Sequence, residues 1–160
     1  VQRLLCDKFC LVRVRVAVAC VSNDWHRTDG NDPVDEMSAH LDLPVGPDAL
    51  AAARQVVRSA LVGWGFDDLE DVADAVLVAD ELVSNAVRHG GGCLSLHVHA
   101  RDDEVTVSAV DGSAVVPRRR DPDGDGGRGL RIIEALSQAW GVEDLPDGGK
   151  RVWVRLVRSA

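Results

Sequence analysis

The stretch Leu69 to His89 constrains the fold more than any other part of the chain. Leu69, Val72, Val76, Ala79, Val83 and Ala86 recur at three- and four-residue steps. That spacing lays one apolar stripe along a helix and demands a second layer to cover it. The acids of "DDLED" sit where a helix begins and favour its positive end, and "HGGG" supplies a left-handed glycine cap near His89. At about 100° per residue, Glu81 and Asn85 fall within roughly 40° of each other. Their face lies nearly opposite Val83 and is shared with Asp74 and Arg88. A solvated face with an ordinary intrahelical contact is the plain reading of such a pair. Asparagine is a poor helix former, however, and a solvated face has no need of it. A carboxylate one turn from an amide oxygen can take up a proton and also hold a hard cation such as Mg²⁺.

The remaining pattern supplies the covering layer. "AHLDLP" alternates and stops at Pro44, as a short strand does. "GPDALAAARQVVRSALVGWG" places Pro47 near a helix start and Gly63 and Gly65 at its end, with Leu50, Ala53, Val57, Ala60 and Leu61 at helical spacing. "CLSLHVHARDDEVTVSAVDG" reads as two strands joined by a tight turn at "ARDD". His97 and His99 share one parity there and are expected on the solvent face rather than as metal ligands. Residues 112–126 form a loop rich in Pro, Arg, Asp and Gly. Helical periodicity resumes at "GLRIIEALSQAW", and "GVEDL" and "KRVWVRLV" read as two closing strands around a Pro-Asp-Gly-Gly turn. The order predicts an α/β two-layer sandwich, a mixed and mostly antiparallel sheet with helices on one face.

A chain of 160 residues fits one domain with a proper core. Lysines and arginines number 18 against 26 acids, a net charge of −8, which argues against direct nucleic-acid binding. The one dense basic cluster, Arg118 to Arg120, is followed closely by acids and reads as a solvated loop. Cys6, Cys10 and Cys20 precede a polar stretch and Cys93 stands alone. No CxxC pair or zinc-like spacing occurs, so free thiols of a cytoplasmic protein are expected. The apolar run after Arg15 ends at Val21, too short for a secretory core or a bilayer span. Met37 is the single methionine. Residues 1–36 are therefore read as an extension outside the domain, and 38–157 as the domain itself.

Two further motifs carry chemistry. "VDGS", Val110 to Ser113, puts an aspartate at a strand end, where it is either a turn residue or an acceptor for a base amino group. "GDGGRGL", Gly124 to Leu130, opens the last helix, and backbone N–H groups at such a start form an anion site. Gly124, Gly126 and Gly129 spell G-x-G-x-x-G, but no strand precedes them and a Rossmann reading fails. "GGKR" at Gly148 lacks the first glycine and the hydroxyl residue of a P-loop.

In this order, "ELVSNAVRHG", "VDGS" and "GGRGL" resemble the N-box, adenine box and phosphate-contact glycine box of the histidine-kinase-like (Bergerat-type) ATPases. The resemblance is strongest to the anti-sigma-factor serine/threonine kinases of Gram-positive bacteria and covers about residues 38–157. It implies Glu81 as general base and Asn85 as the Mg²⁺ ligand. It implies Asp111 as the contact to adenine, Gly127 and Gly129 as backbone donors to the phosphates, and residues 113–126 as a lid. Arg88, His89, Gly112, Arg128 and Leu130 complete the nucleotide-binding set. The cofactors implied are ATP and Mg²⁺, and the partners a sigma factor and a small anti-sigma antagonist, with no membrane and with a homodimer allowed. The activity implied is serine phosphorylation of that antagonist; the alternative is a nucleotide-responsive binding module without turnover. Two positions depart from the family pattern. Ser113 stands where a second glycine is usual, and Lys150-Arg151 occupies the neighbourhood of a threonine near the adenine.

Overall fold

In a computed structural model, residues 14–19, 36–43, 48–89, 92–113, 129–146 and 148–158 are described. The elements run β1 (Val14–Ala19), β2 (Glu36–Asp42), α1 (Asp48–Gly63), α2 (Leu69–His89), β3 (Cys93–Arg101), β4 (Glu104–Asp111), α3 (Gly129–Leu136), β5 (Ala139–Asp144) and β6 (Lys150–Val157). The strands form a six-stranded sheet in the order β1-β2-β3-β4-β6-β5. Every pairing is antiparallel. The expected two-layer sandwich is borne out, and its sheet contains no parallel pair among the described strands.

Strand alternation decides which face is buried. Ala39 and Leu41 of β2, Leu96, Val98 and Ala100 of β3, Val105, Val107 and Ala109 of β4, and Val152, Val154 and Leu156 of β6 are all buried. The helices meet them with Ala53, Val57 and Leu61 of α1, Val72, Val76, Ala79, Val83 and Ala86 of α2, and Ile133 of α3. Leu69, the first residue of the expected stripe, is instead 83% exposed. It opens α2 ahead of the turn that touches the sheet. Arg54 ties α1 to α2 through Asp80 at 2.6 and 2.8 Å.

The helix ends follow from local chemistry. Asp68 Oδ1 accepts from the N–H groups of Glu70 and Asp71, which caps α2. Gly65, at φ +85°, lets the chain turn back so that Phe66 N–H reaches Leu61 O at 3.0 Å. Gly92, at φ +121°, donates its N–H to Ala86 O beyond the end of α2; Gly90 and Gly91 lie outside the described residues.

Two boundaries differ from the sequence expectation. The last helix stops at Leu136, and Ala139 and Trp140 open β5 instead. Gln138 N–H already bonds to Arg155 O of β6, so sheet pairing captures the segment before another helical turn can form. Val14–Ala19, inside the segment read as an extension, pairs with β2 from Val14↔Leu41 to Ala19↔Glu36. The "VRVAVA" alternation is the local signal for that strand. Among the described residues no helix is long and apolar enough to cross a membrane.

Candidate functional site

The stripe that buries α2 also fixes where its other face points. With Val83 and Ala86 locked into the core, Glu81 and Asn85 turn toward the start of α3 and are half-buried. The glycine there leaves room for the Glu81 carboxylate. A Cβ on Gly129 would stand 2.5 Å from Glu81 Oε2 and 3.6 Å from Asn85 Nδ2. The face is therefore partly covered by another element. The carboxylate, the amide and Gly129 at the start of α3 meet at one point. Arg88 and His89 lie on the last turn of α2 and are exposed. Leu130 is buried, anchoring α3 beside that point. Gly127, Arg128 and most of the expected lid (114–126) lie outside the described residues.

Electrostatics at Glu81 suit proton uptake. Burial raises its pKa above the usual carboxylate value, Arg88 opposes that rise, and Asp80 adds to it. Asn85 shows its amide nitrogen to Gly129, which leaves Oδ1, the atom able to ligate a cation, on the other branch of the amide. No group of three or more His, Cys, Asp or Glu side chains that could hold a metal occurs among the described residues. A Mg²⁺ ion that arrives with phosphates needs only one or two protein ligands, so the donor set fits that use.

Asp111 ends β4 on the buried face, and its side chain is 4% exposed. Directly opposite it in the register stands Lys150. Lys150 Nζ donates to Asp111 Oδ1 at 2.8 Å and to Ser113 O at 3.1 Å. Ser113 N–H donates to the same Oδ1 at 2.8 Å, so the carboxylate also closes the turn that follows it. Gly149, at φ +84°, presses on the Asp111 backbone so closely that a Cβ there would collide with the Asp111 carbonyl oxygen. Gly112 is exposed beside this cluster. The sequence did carry a signal for Lys150: it has the same strand parity as Val152, Val154 and Leu156, so it had to face inward.

Other candidate groups lie elsewhere. His97 bonds to Ser95 Oγ and stacks edge-on against His40 at 4.1 Å between centroids. His99 bonds to Glu36. Both histidines project from the sheet face opposite the described helices, as the alternation requires. Cys93 is buried, and burial together with the Asp111 charge pushes its thiol up to about 12. A cavity of about 170 Å³ lies near Leu61, Phe66, Leu136 and Arg158, at the opposite end of α2 from Glu81.

Glu81 and Asn85 on one helix face, Gly129 at the start of α3 against them, and Asp111 at the end of a neighbouring strand lie together on an α/β sandwich. Residues 43–156 match the family model described as the histidine kinase-like ATPase domain. The chain belongs to that family, and membership implies ATP as the ligand of the domain. A solved structure that resembles it is the SiaB-SiaC complex from Pseudomonas aeruginosa, at 17% identity and a TM-score of 0.49, covering 74% of this chain and 88% of that one. No curated protein matches.

Proposed function

We propose that this protein is an ATP-dependent, anti-sigma-factor-type serine/threonine kinase of the cytoplasm. On this reading it phosphorylates a small antagonist protein and sequesters a sigma factor. The observation that carries the reading is the convergence of Glu81, Asn85 and Gly129. A binder of nucleotide needs donors for the phosphates, and it does not need a carboxylate whose burial favours the protonated form. A kinase has a use for one.

In the proposed reaction a serine hydroxyl of the antagonist approaches the γ-phosphate, and Glu81 takes the hydroxyl proton. A bond forms from the serine oxygen to the phosphorus as the bond to the β–γ bridging oxygen breaks, leaving ADP. Mg²⁺ bound with the nucleotide would offset the phosphate charge, and Asn85 Oδ1 is the side-chain atom proposed to ligate it. Gly129, with Gly127 and Arg128 ahead of it, offers N–H groups to the phosphates at the helix start. Asp111 accepts from the base, while Arg88 and His89 border the phosphates and Gly112 and Leu130 the pocket.

The test pairs nucleotide affinity with transfer of radiolabel from ATP to the serine of a candidate antagonist. Glu81→Gln should keep affinity and lose transfer, whereas Asn85→Ala should lose both. If the unmutated protein binds ATP and its sigma partner yet labels no confirmed antagonist, the kinase reading fails. A nucleotide-responsive binding module then takes its place.

A further inference from the structure

The sheet face opposite the described helices carries a pocket that the nucleotide reading does not use. The register of β4, β6 and β5 builds it: Ser108 stands opposite Trp153, Thr106 opposite Arg155, and Glu143 opposite Arg151. These six side chains line about 260 Å³ of space. Trp153 is held to one side. A Cβ on Gly141 would stand 2.7 Å from the indole, so the ring lies against the β5 backbone and Ser108 stays open to the pocket. Ser108 is nevertheless only 7% exposed, and among the described residues its hydroxyl has no hydrogen-bond partner. Arg151 Nε is buried and also without a partner, so no hydrogen bond fixes that guanidinium. Arg151 and Arg155 meet Glu143 and Glu104 at 3.7 and 3.9 Å, which offsets charge without forming hydrogen bonds. The pocket therefore has donors to spare.

We propose that this pocket binds a small aryl carboxylate, whose carboxylate accepts from the Ser108 hydroxyl and the Arg151 guanidinium while its ring packs against Trp153. The choice of ligand follows from the donors. A buried hydroxyl without a partner gains a hydrogen bond when an acceptor reaches it. Two guanidiniums make a charged acceptor better than a neutral one. Glu143 and Glu104 stand beside those guanidiniums and repel added negative charge, which favours a monoanion over a phosphate dianion. The Trp153 wall supplies apolar contact, and the volume suits a flat molecule of one or two rings. This inference does not rest on the kinase reading, because none of these residues belongs to the proposed nucleotide site.

The experiment titrates the full chain with naphthoate, read by calorimetry and by the tryptophan indole N–H resonances. Binding should saturate with a dissociation constant on the order of 1 mM or tighter. Among the indole signals that of Trp153, assigned through Trp153→Phe, should shift most. Naphthamide, of the same shape without the charge, should bind roughly tenfold more weakly, and naphthyl phosphate should also bind more weakly than naphthoate. Ser108→Ala should weaken naphthoate by about threefold to tenfold and Arg151→Gln by about tenfold or more. Ser108→Ala removes a hydroxyl that has no partner, so its melting temperature should hold or rise; should Arg151→Gln fail to fold, Ser108→Ala decides. No saturable binding overturns the proposal, as does naphthamide or naphthyl phosphate binding as tightly as naphthoate. Affinity unchanged in Ser108→Ala overturns it too. Naphthoate displaced by ATP would lie in the nucleotide site instead, and that result also overturns the proposal while leaving the nucleotide reading intact.

Discussion

Gly129, the first residue of α3, lies so close to Glu81 that a methyl group there would come within 2.5 Å of Oε2. Two elements about fifty positions apart in the chain thus share one point in space, and a side chain larger than glycine there must displace the Glu81 carboxylate. The atom in the way is the far end of a flexible side chain, so Gly129→Ala should fold. Its effect should be to push the Glu81 carboxylate aside. Phosphate transfer should then fall by roughly 10²–10⁴-fold, the usual worth of a general base, with the melting temperature nearly unchanged. Transfer assays beside a thermal melt check this, and an unchanged rate would show that Glu81 does no work from that position.

The raised pKa of Glu81 gives a second expectation, with a definite sign. Burial disfavours the ionised form, so between the ordinary carboxylate value and the raised one the folded chain holds more proton than the unfolded chain. Stability contributed at this site therefore falls as pH rises through that window. Glu81→Gln removes the ionisation, so the variant should melt at or above the wild-type temperature at neutral pH. At acid pH the two should converge. Wild-type transfer should rise with pH across the same window, because only ionised Glu81 can accept a proton. A Glu81→Gln protein markedly less stable than wild type at neutral pH would contradict the burial argument.

The α2 face was legible in the sequence because one helix period fixes both the buried stripe and the angle of everything else. Knowing Val76, Val83 and Ala86 is enough to place Glu81 and Asn85. Which element covers that face is a tertiary fact, and no periodicity states that Gly129 comes to rest there. Lys150 illustrates the opposite case. Its parity was readable, yet a lysine facing inward conflicts with its ordinary exposure, and only Asp111 across the register removes the conflict. Ala139 and Trp140 continue a helical pattern locally, and pairing with β6 overrides it. The sheet order was not legible at all, since β6 inserts between β4 and β5 through contacts no local pattern encodes.

His97 should shape the acid side of the stability profile. Burial lowers its pKa to about 4, with His40 and Arg151 pushing the same way and Asp42 opposing. Between about 6.5, the ordinary histidine value, and that lowered value, the unfolded chain binds a proton that the folded chain refuses. Stability should accordingly drop as pH falls through this range. His97→Gln should flatten that drop in denaturant titrations run from pH 7 to pH 4.5. An identical slope in the variant would mean that the loss belongs to other groups.

Cys93 should be chemically silent in the folded chain. It is 4% exposed, its thiol is pushed up to about 12, and its Sγ faces the carbonyls of Ser95 and Val110. Thiolate is the reactive form, so alkylation at pH 8 should be negligible until unfolding. Peptide mapping after iodoacetamide treatment, with and without denaturant, separates Cys93 from Cys6, Cys10 and Cys20. Modification of Cys93 at a free-thiol rate in native conditions would show that the β3–β4 end opens readily.

Asp111→Asn asks whether the buried carboxylate serves the nucleotide or only Lys150. Asparagine keeps an oxygen for the Lys150 ammonium, so the fold should survive, though less stably, because a neutral amide no longer matches a charge that is 3% exposed. The other branch of the side chain changes from an acceptor to an NH₂ donor, which faces the donor edge of a 6-amino purine. ATP affinity should therefore fall by about 1.5–3 kcal/mol, the scale of a hydrogen bond to a charged group. The change leaves the phosphate contacts proposed for Gly129 untouched, so inorganic triphosphate should bind wild type and variant alike. Calorimetric titration of both ligands makes the distinction: a loss shared equally by ATP and triphosphate would mean a damaged fold. An affinity for ATP that does not change would remove Asp111 from the pocket and leave it as the partner of Lys150 alone.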